Sequence, residues 1–226
     1  MNIETENYQQ ACRELPGAGQ QIIGYQTAEE IVVYQAYKPS IAAFAVANQI
    51  LGGNAYSYNR MSWIKPNFLW MMYRCGWAEK ENQERVLAIW TKKSVLKEIL
   101  ENAAISSFNS RYHPSHDAWK KELETKEARL QWDPDHDPYG RKLERRAIQL
   151  GLKGQLLENF GKKQITRIED ITDFVKEQKH KLDNHKLEEL IVPVERIWEI
   201  NDTALQQRIG IDTKNGNSNI IQAGRD

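Results

Sequence analysis

Two cysteines, Cys12 and Cys75, are too few for a disulfide framework or a cysteine-rich zinc site. Net charge is missing as well, since 31 basic and 31 acidic side chains cancel over 226 residues. That balance excludes a uniformly basic nucleic-acid coat and an acidic disordered activator alike. No stretch approaches the roughly 18 apolar residues that a membrane span requires. The opening residues MNIETENYQQ have no basic-then-apolar pattern, so a soluble, cytoplasmic protein with no membrane partner is expected. A Walker loop, GxGxxG, GxSxG and HExxH are all absent, so no standard motif names a reaction. What is present suffices for a core: 40% hydrophobic residues and seven Trp, against a mean hydropathy of −0.70 that implies a wet surface.

Several short elements can be read in order. The polar stretch through about Ala18 suggests a short helix or arm before the Pro16–Gly17 turn. Residues 31–37 (IVVYQAY) are β-branched and aromatic and predict a buried strand. Residues 40–51 predict a helix, with Ser40 as N-cap and Gly52–Gly53 as its stop. Pro66 interrupts the dense run 60–77 (RMSWIKPNFLWMMYRCGW), of which 68–73 fits a strand or a short helix equally. Residues 86–90 predict a strand, 94–104 an amphipathic helix, 106–117 a loop, 118–127 a polar helix and 128–132 a strand. Residues 133–140 (DPDHDPYG) read as turn throughout. Strands at 145–152 and 164–168, joined by a short helix, precede a charged helix at 171–180.

Strands after Trp90 are not separated by helices of regular length, which argues against parallel winding. The expected fold class is therefore α+β: a mixed, mostly antiparallel sheet flanked by helices, as a single domain over residues 1–190. Residues 191–226 read as a C-terminal extension, with 195–200 packing back and 213–226 fraying.

Charge is unevenly placed although it sums to zero. Residues 60–93 carry seven basic side chains against three acidic, and 141–167 carry eight against two. Two such segments meeting in a cleft would hold phosphate, for which Arg offers a bidentate fork. Solvated faces are the plainer account. The run 60–77 mixes Arg60, Lys65, Tyr73 and Arg74 with Trp63, Phe68, Trp70 and Trp77. Rings beside cations are what a site needs to stack a base while holding its phosphates. Trp70, Met71 and Met72 read as core, whereas buried cations at Arg60, Lys65 or Arg74 would need partners. The candidate ligand-binding set is Arg60, Lys65, Arg74, Trp63, Arg85, Glu84 and Trp132, with an internal Glu84–Arg85 ion pair as the plainer reading of those two.

Glu169 follows the QITRI strand, where a general base or ribose-hydroxyl acceptor could sit, with Asp170 or Thr172 left to cap the next helix. Asp133, Asp135, His136 and Asp137 resemble hard-cation ligands, but the glycine and closing Glu of a calcium loop are missing, and Asx-capped turns explain them better. Pro114 separates His113 from His116 and spoils a helical zinc pair, His180 and His185 read as solvated, and Cys75 reads as a buried thiol.

The run 60–77, followed by QERVLAI at 83–89, resembles the family called domain of unknown function 4291. So do IVVYQAY at 31–37, QWDPDHD at 131–137, AIQLGL at 147–152 and IEDIT at 168–172, a match from about Glu14 to His180. The order of elements is also similar to ADP-ribosyltransferase folds. By position that similarity implies catalytic roles for Gln35, Tyr73 and Glu169, with Glu169 on a ribose hydroxyl and Arg60 or Arg74 on the phosphates of an NAD cofactor. Gln35 departs from the Arg or His usual at the first of those places, and no Ser-Thr-Ser run follows. The leading expectation is thus a protein binding a nucleotide or a nucleic-acid end, with NAD-consuming transfer as the chemistry that resemblance implies. The alternatives are a non-catalytic RNA- or DNA-binding module built on 141–167, and a structural protein with a Trp-rich core.

Overall fold

A computed structural model of the chain describes residues 2–212 apart from Arg111; the tail expected to fray, 213–226, lies outside the described residues. Strand β1 (Thr5–Asn7) leads into helix α1 (Tyr8–Glu14), whose first turn is closed by the Asn7 side chain. Two short strands, β2 (Gly19–Gln20) and β3 (Ile23–Tyr25), precede β4 (Glu30–Tyr37), the β-branched run. Helix α2 (Pro39–Asn48) starts one residue earlier than expected. Lys38, not Ser40, is its N-cap, because Pro39 at the first turn needs no N–H partner and arrives with helical φ. It also stops before the glycines, at Gln49 in the left-handed region with φ 57°.

Strand β5 (Ser62–Ile64) ends at the Lys65–Pro66 step, and α3 (Phe68–Cys75) begins where Asn67 accepts a hydrogen bond from Trp70 N at 2.8 Å. The ambiguous segment is thus a helix, ended by Gly76 at φ 57°. Strand β6 (Arg85–Lys92) runs directly into α4 (Lys93–Glu101), and Ala103 and Ala104, expected in that helix, belong instead to strand β7 (Ala103–Ile105). After α5 (His116–Thr125) comes β8 (Ala128–His136), which continues four residues beyond its expected end. Only the end of the Asp-Pro run is a turn: Asp137 Oδ1 accepts from Tyr139 N and Arg141 N, both at 2.9 Å. The chain returns as β9 (Lys142–Leu152), α6 (Gly154–Asn159), a π-helical turn, β10 (Ile165–Asp170) and α7 (Thr172–Asp183). Strands β11 (Ile191–Pro193) and β12 (Glu195–Ile197) and helix α8 (Thr203–Ile209) complete the described residues.

Strands β10, β6 and β4 form an antiparallel sheet in that order. A second sheet pairs β9 with β8 and β5 antiparallel, β7 with β8 parallel and β2 with β9 parallel. The two are stitched where Tyr34 N donates to Lys65 O at 2.7 Å and Lys65 N to Tyr34 O at 3.3 Å. The result is a curled, mostly antiparallel sheet in a single α+β domain. The segment past Leu190 is woven into it, with β11 on β1 and β12 on β3. No helix among the described residues is long and apolar enough to cross a membrane.

Strand β4 sends Ile31 and Val33 into one core and Val32 and Tyr34 into the other; β6 divides Leu87 and Ile89 from Val86, Ala88 and Trp90 in the same way. With both faces covered, these strands read as unbroken apolar runs. The β8–β9 half is covered differently. Leu130, Ile148, Leu150 and Leu152 fill the first core, while Gln131, Asp133 and Gln149 alternate to the opposite face. Beyond Lys65 that face turns from apolar to polar.

Candidate functional site

Strand β5 lies at the stitch, and three expected residues meet there. The Trp63 carbonyl accepts from Gln35 Nε2 at 3.1 Å and from Lys65 Nζ at 3.3 Å. Gln35 Nε2 also donates to Ser62 Oγ at 2.7 Å, whereas Gln35 Oε1 is buried with no hydrogen-bond partner among the described residues. Lys65 is only 5% exposed and has no carboxylate within ion-pair distance among the described residues. Burial first, then the nearby Arg74 charge, lower its amine from 10.5 to about 8, with Asp133 pulling the other way. Trp63 and Met61 lie across Gly151, where an added Cβ would stand 2.6 Å from Met61 Sδ and 2.9 Å from the indole. Only glycine lets that ring rest on the sheet.

The polar floor is ordered. Asp133 accepts from Gln131 Nε2 at 2.9 Å on one oxygen and from Gln149 Nε2 at 2.7 Å on the other. Helix α3 covers its far end with Trp70, Tyr73 and Arg74, the i, i+3 and i+4 positions of one face. Tyr73 stacks on His136 with centroids 3.6 Å apart, and Trp70 stacks parallel to both. Arg74 is exposed and makes no ion pair among the described residues.

The other expected residues are placed elsewhere. Gln35 shares its register with Leu87 and Asp170, whereas Glu169 shares one with Ala88 and Tyr34, so the two side chains leave opposite faces of the sheet. The Glu169 carboxylate is engaged by Asn2 N at 2.8 Å, Asn2 Nδ2 at 3.1 Å and Arg167 Nε at 3.1 Å. Tyr73 stands on α3 over His136, so the trio implied by the transferase resemblance is not assembled. Arg85 pairs with Asp170 at 2.6 Å rather than with Glu84, whose Oε1 accepts from Asn82 N at 2.8 Å. Asp170 also receives Thr172 N at 2.9 Å and so closes the start of α7. Trp132 packs into the first core and donates to Ile209 O at 2.8 Å. Arg60 is exposed in the loop before β5.

The basic segment 141–167 does not form one patch. Arg141, Lys142 and Arg146 stand at the start of β9, while Lys153, Lys162 and Lys163 come after its end, eleven residues and about 35 Å of strand away. His113 is buried 3.4 Å from Glu122, and burial pushes the Cys75 thiol up.

A second polar cluster, which sequence reasoning missed, lies at the other end of α3. Asp135, 1% exposed, pairs with buried Arg145 at 2.5 Å. Buried Glu195 accepts from Phe68 N at 2.7 Å and Asn67 Nδ2 at 3.2 Å, beside a hollow of about 320 Å³ also lined by Tyr8, Cys12 and Arg145. The period-2 pattern of Gln131, Asp133 and Asp135 was the available signal for the polar face; nothing local marks Glu195 as partner to residue 68.

Burial raises the Glu195 carboxyl well above 4.5, with Asp135 adding to the rise and the Phe68 N–H opposing it. The folded state therefore holds this proton more tightly than the unfolded chain. The associated stability is full below 4.5 and is lost as pH rises through the folded value. Glu195→Gln keeps an acceptor for Phe68 N and removes the titration. Urea unfolding should show the variant gaining on the native chain between pH 5 and 8, and a constant difference would refute the assignment.

No curated protein matches this chain. A family described as Domain of unknown function (DUF4291) does match, over residues 21–198, a span that takes in β5, α3, the Asp133 floor and Glu195. The sequence runs at 31–37, 60–77 and 131–137 all fall inside it, and the chain belongs to that family.

Proposed function

We propose that this protein binds a phosphate-bearing ligand of the nucleotide class in the groove between β5, the Gln131–Asp133–Gln149 floor and the C-terminal half of α3. The observation that carries the reading is Lys65, a buried amine whose hydrogen-bond partner is one neutral carbonyl. A buried cation is costly unless it is paired. Asp133 does not fill that role, because both its oxygens take glutamine amides. Arg74 sits close enough to depress Lys65, and two cations held together without a counter-ion suit a ligand that brings negative charge.

Calorimetric titration with pyrophosphate, ATP and NAD tests this. Each should bind the native chain at pH 7, and Arg74→Ala should weaken all three about tenfold. Because the anion binds the ammonium form, affinity should hold steady below pH 8 and fall as pH rises through about 8, where the Lys65 amine loses its proton. No heat and no rise in unfolding midpoint with any of the three at millimolar concentration would refute the reading.

A further inference from the structure

Three ring nitrogens at the Trp70–His136–Tyr73 stack are buried without a hydrogen-bond partner among the described residues: Nδ1 and Nε2 of His136, and Nε1 of Trp70. Buried polar atoms in folded proteins nearly always find partners, and each exception asks for an explanation. A stack that served packing alone would be filled as well by Phe. His136 is 2% exposed, and burial holds its imidazole below the ordinary range, so one nitrogen carries a proton and the other a lone pair. The planes are nearly parallel, with His136 at 10° to Tyr73 and 13° to Trp70.

The outer plate is Tyr73, 46% exposed. Its hydroxyl makes no hydrogen bond among the described residues, and the turn beside it is open enough that a Cβ on Gly140 would come only to 3.4 Å of the ring. Tyr73 can swing outward without breaking a polar contact. Doing so uncovers a flat floor edged by unpaired donors and an acceptor. The location matters too: β8 carries both His136 and Asp133, and α3 carries both Tyr73 and Arg74.

We propose that this stack is a nucleobase slot: a planar heterocycle enters between Tyr73 and His136, and its edge pairs with the ring nitrogens of His136 and Trp70. Tyr73 moves out by about 3.5 Å, one ring thickness. The slot lies beside Arg74, so base and phosphate of one ligand fall on adjoining parts of the groove. The inference rests on the nucleotide reading for the identity of its ligand, but it is testable apart from it.

The test uses unphosphorylated probes. Adenosine, guanosine, cytidine and uridine are titrated at millimolar concentration while the ring nitrogens of His136 are followed by NMR, with pyrophosphate titrated separately. At least one nucleoside should shift the His136 ring signals. His136→Phe should stay folded, with an equal or higher unfolding midpoint, keep its pyrophosphate affinity, and lose nucleoside binding tenfold or more. Tyr73→Ala should weaken nucleosides about tenfold by removing one stacking plate. Unchanged His136 signals with all four nucleosides, while pyrophosphate still binds, would overturn the slot and leave the anion site standing. The reverse result, a nucleoside shift without pyrophosphate binding, would support the slot and remove the anion site. Equal nucleoside affinity in the native and His136→Phe chains would also overturn it.

Discussion

Lys65→Met raises the stability of this protein at pH 7 and removes its phosphate binding. The folded state depresses the Lys65 amine from 10.5 to about 8, so it disfavours the charged form by about 3 kcal/mol. That cost is fully present below pH 8, where the amine is protonated both folded and unfolded. It is relieved between pH 8 and 10.5, where the unfolded chain holds the proton and the folded chain does not. Methionine fills a similar volume without charge and gives up only the 3.3 Å bond to the Trp63 carbonyl, worth about 1 kcal/mol. The net gain is about 2 kcal/mol, a rise of about 4–8 °C in midpoint for a chain of this size. The gain should shrink toward zero as the buffer is taken to pH 10. A variant that melts earlier at pH 7, or whose advantage does not vary with pH, would show that Lys65 is a structural residue with a partner of its own.

The converse holds for Arg145. Arg145→Ala leaves the Asp135 carboxylate, 1% exposed, without the guanidinium now at 2.5 Å. Removing one member of a buried pair strands the other charge and costs about 3–5 kcal/mol. Arg145 also donates to the Pro16 carbonyl at 3.4 Å and tempers the raised Glu195 carboxyl, so both effects act in the same direction. Asp135→Asn placed in the Arg145→Ala background should recover a large part of the loss, because a neutral amide is cheaper to bury than an unpaired carboxylate. Chemical denaturation reads both values. A loss below about 1 kcal/mol for Arg145→Ala, or no recovery in the double variant, would mean water reaches Asp135.

The two halves of the sheet were legible to different degrees, for a physical reason. Strands β4 and β6 are buried on both faces, so their identity is written in unbroken apolar runs. The α3 segment was undecided because eight residues with Phe, Leu, Trp and Met suit either period; the cap at Asn67 and the glycine at 76 settle it. The run 60–77 holds Trp63, Lys65 and Arg74 close in space because one strand and one helix, separated only by Pro66, present them. Glu169 could not be judged the same way. Which face it takes depends on pairing Asp170 with Leu87 and Leu87 with Gln35, and register between strands so distant in sequence has no local signature. His136 was hidden for another reason. Asp and Pro mark turns by preference, but pairing with β9 carries β8 past Pro134 and bends it at the irregularity before His136, which re-aims that ring onto α3.

The first N–H of α3 is held by Glu195, 127 residues further along the chain. On a ribosome adding about 5–20 residues per second, the helix that bears Trp70, Tyr73 and Arg74 would wait about 6–25 s for that contact. Strand β1 waits as long for β11, and β3 for β12. The groove is therefore finished from the far end of the message. A nascent chain stalled before codon 195 would hold the residues of β5 and α3 with the hollow beneath them unsealed, and would depend on cellular holdases until the last strands emerge.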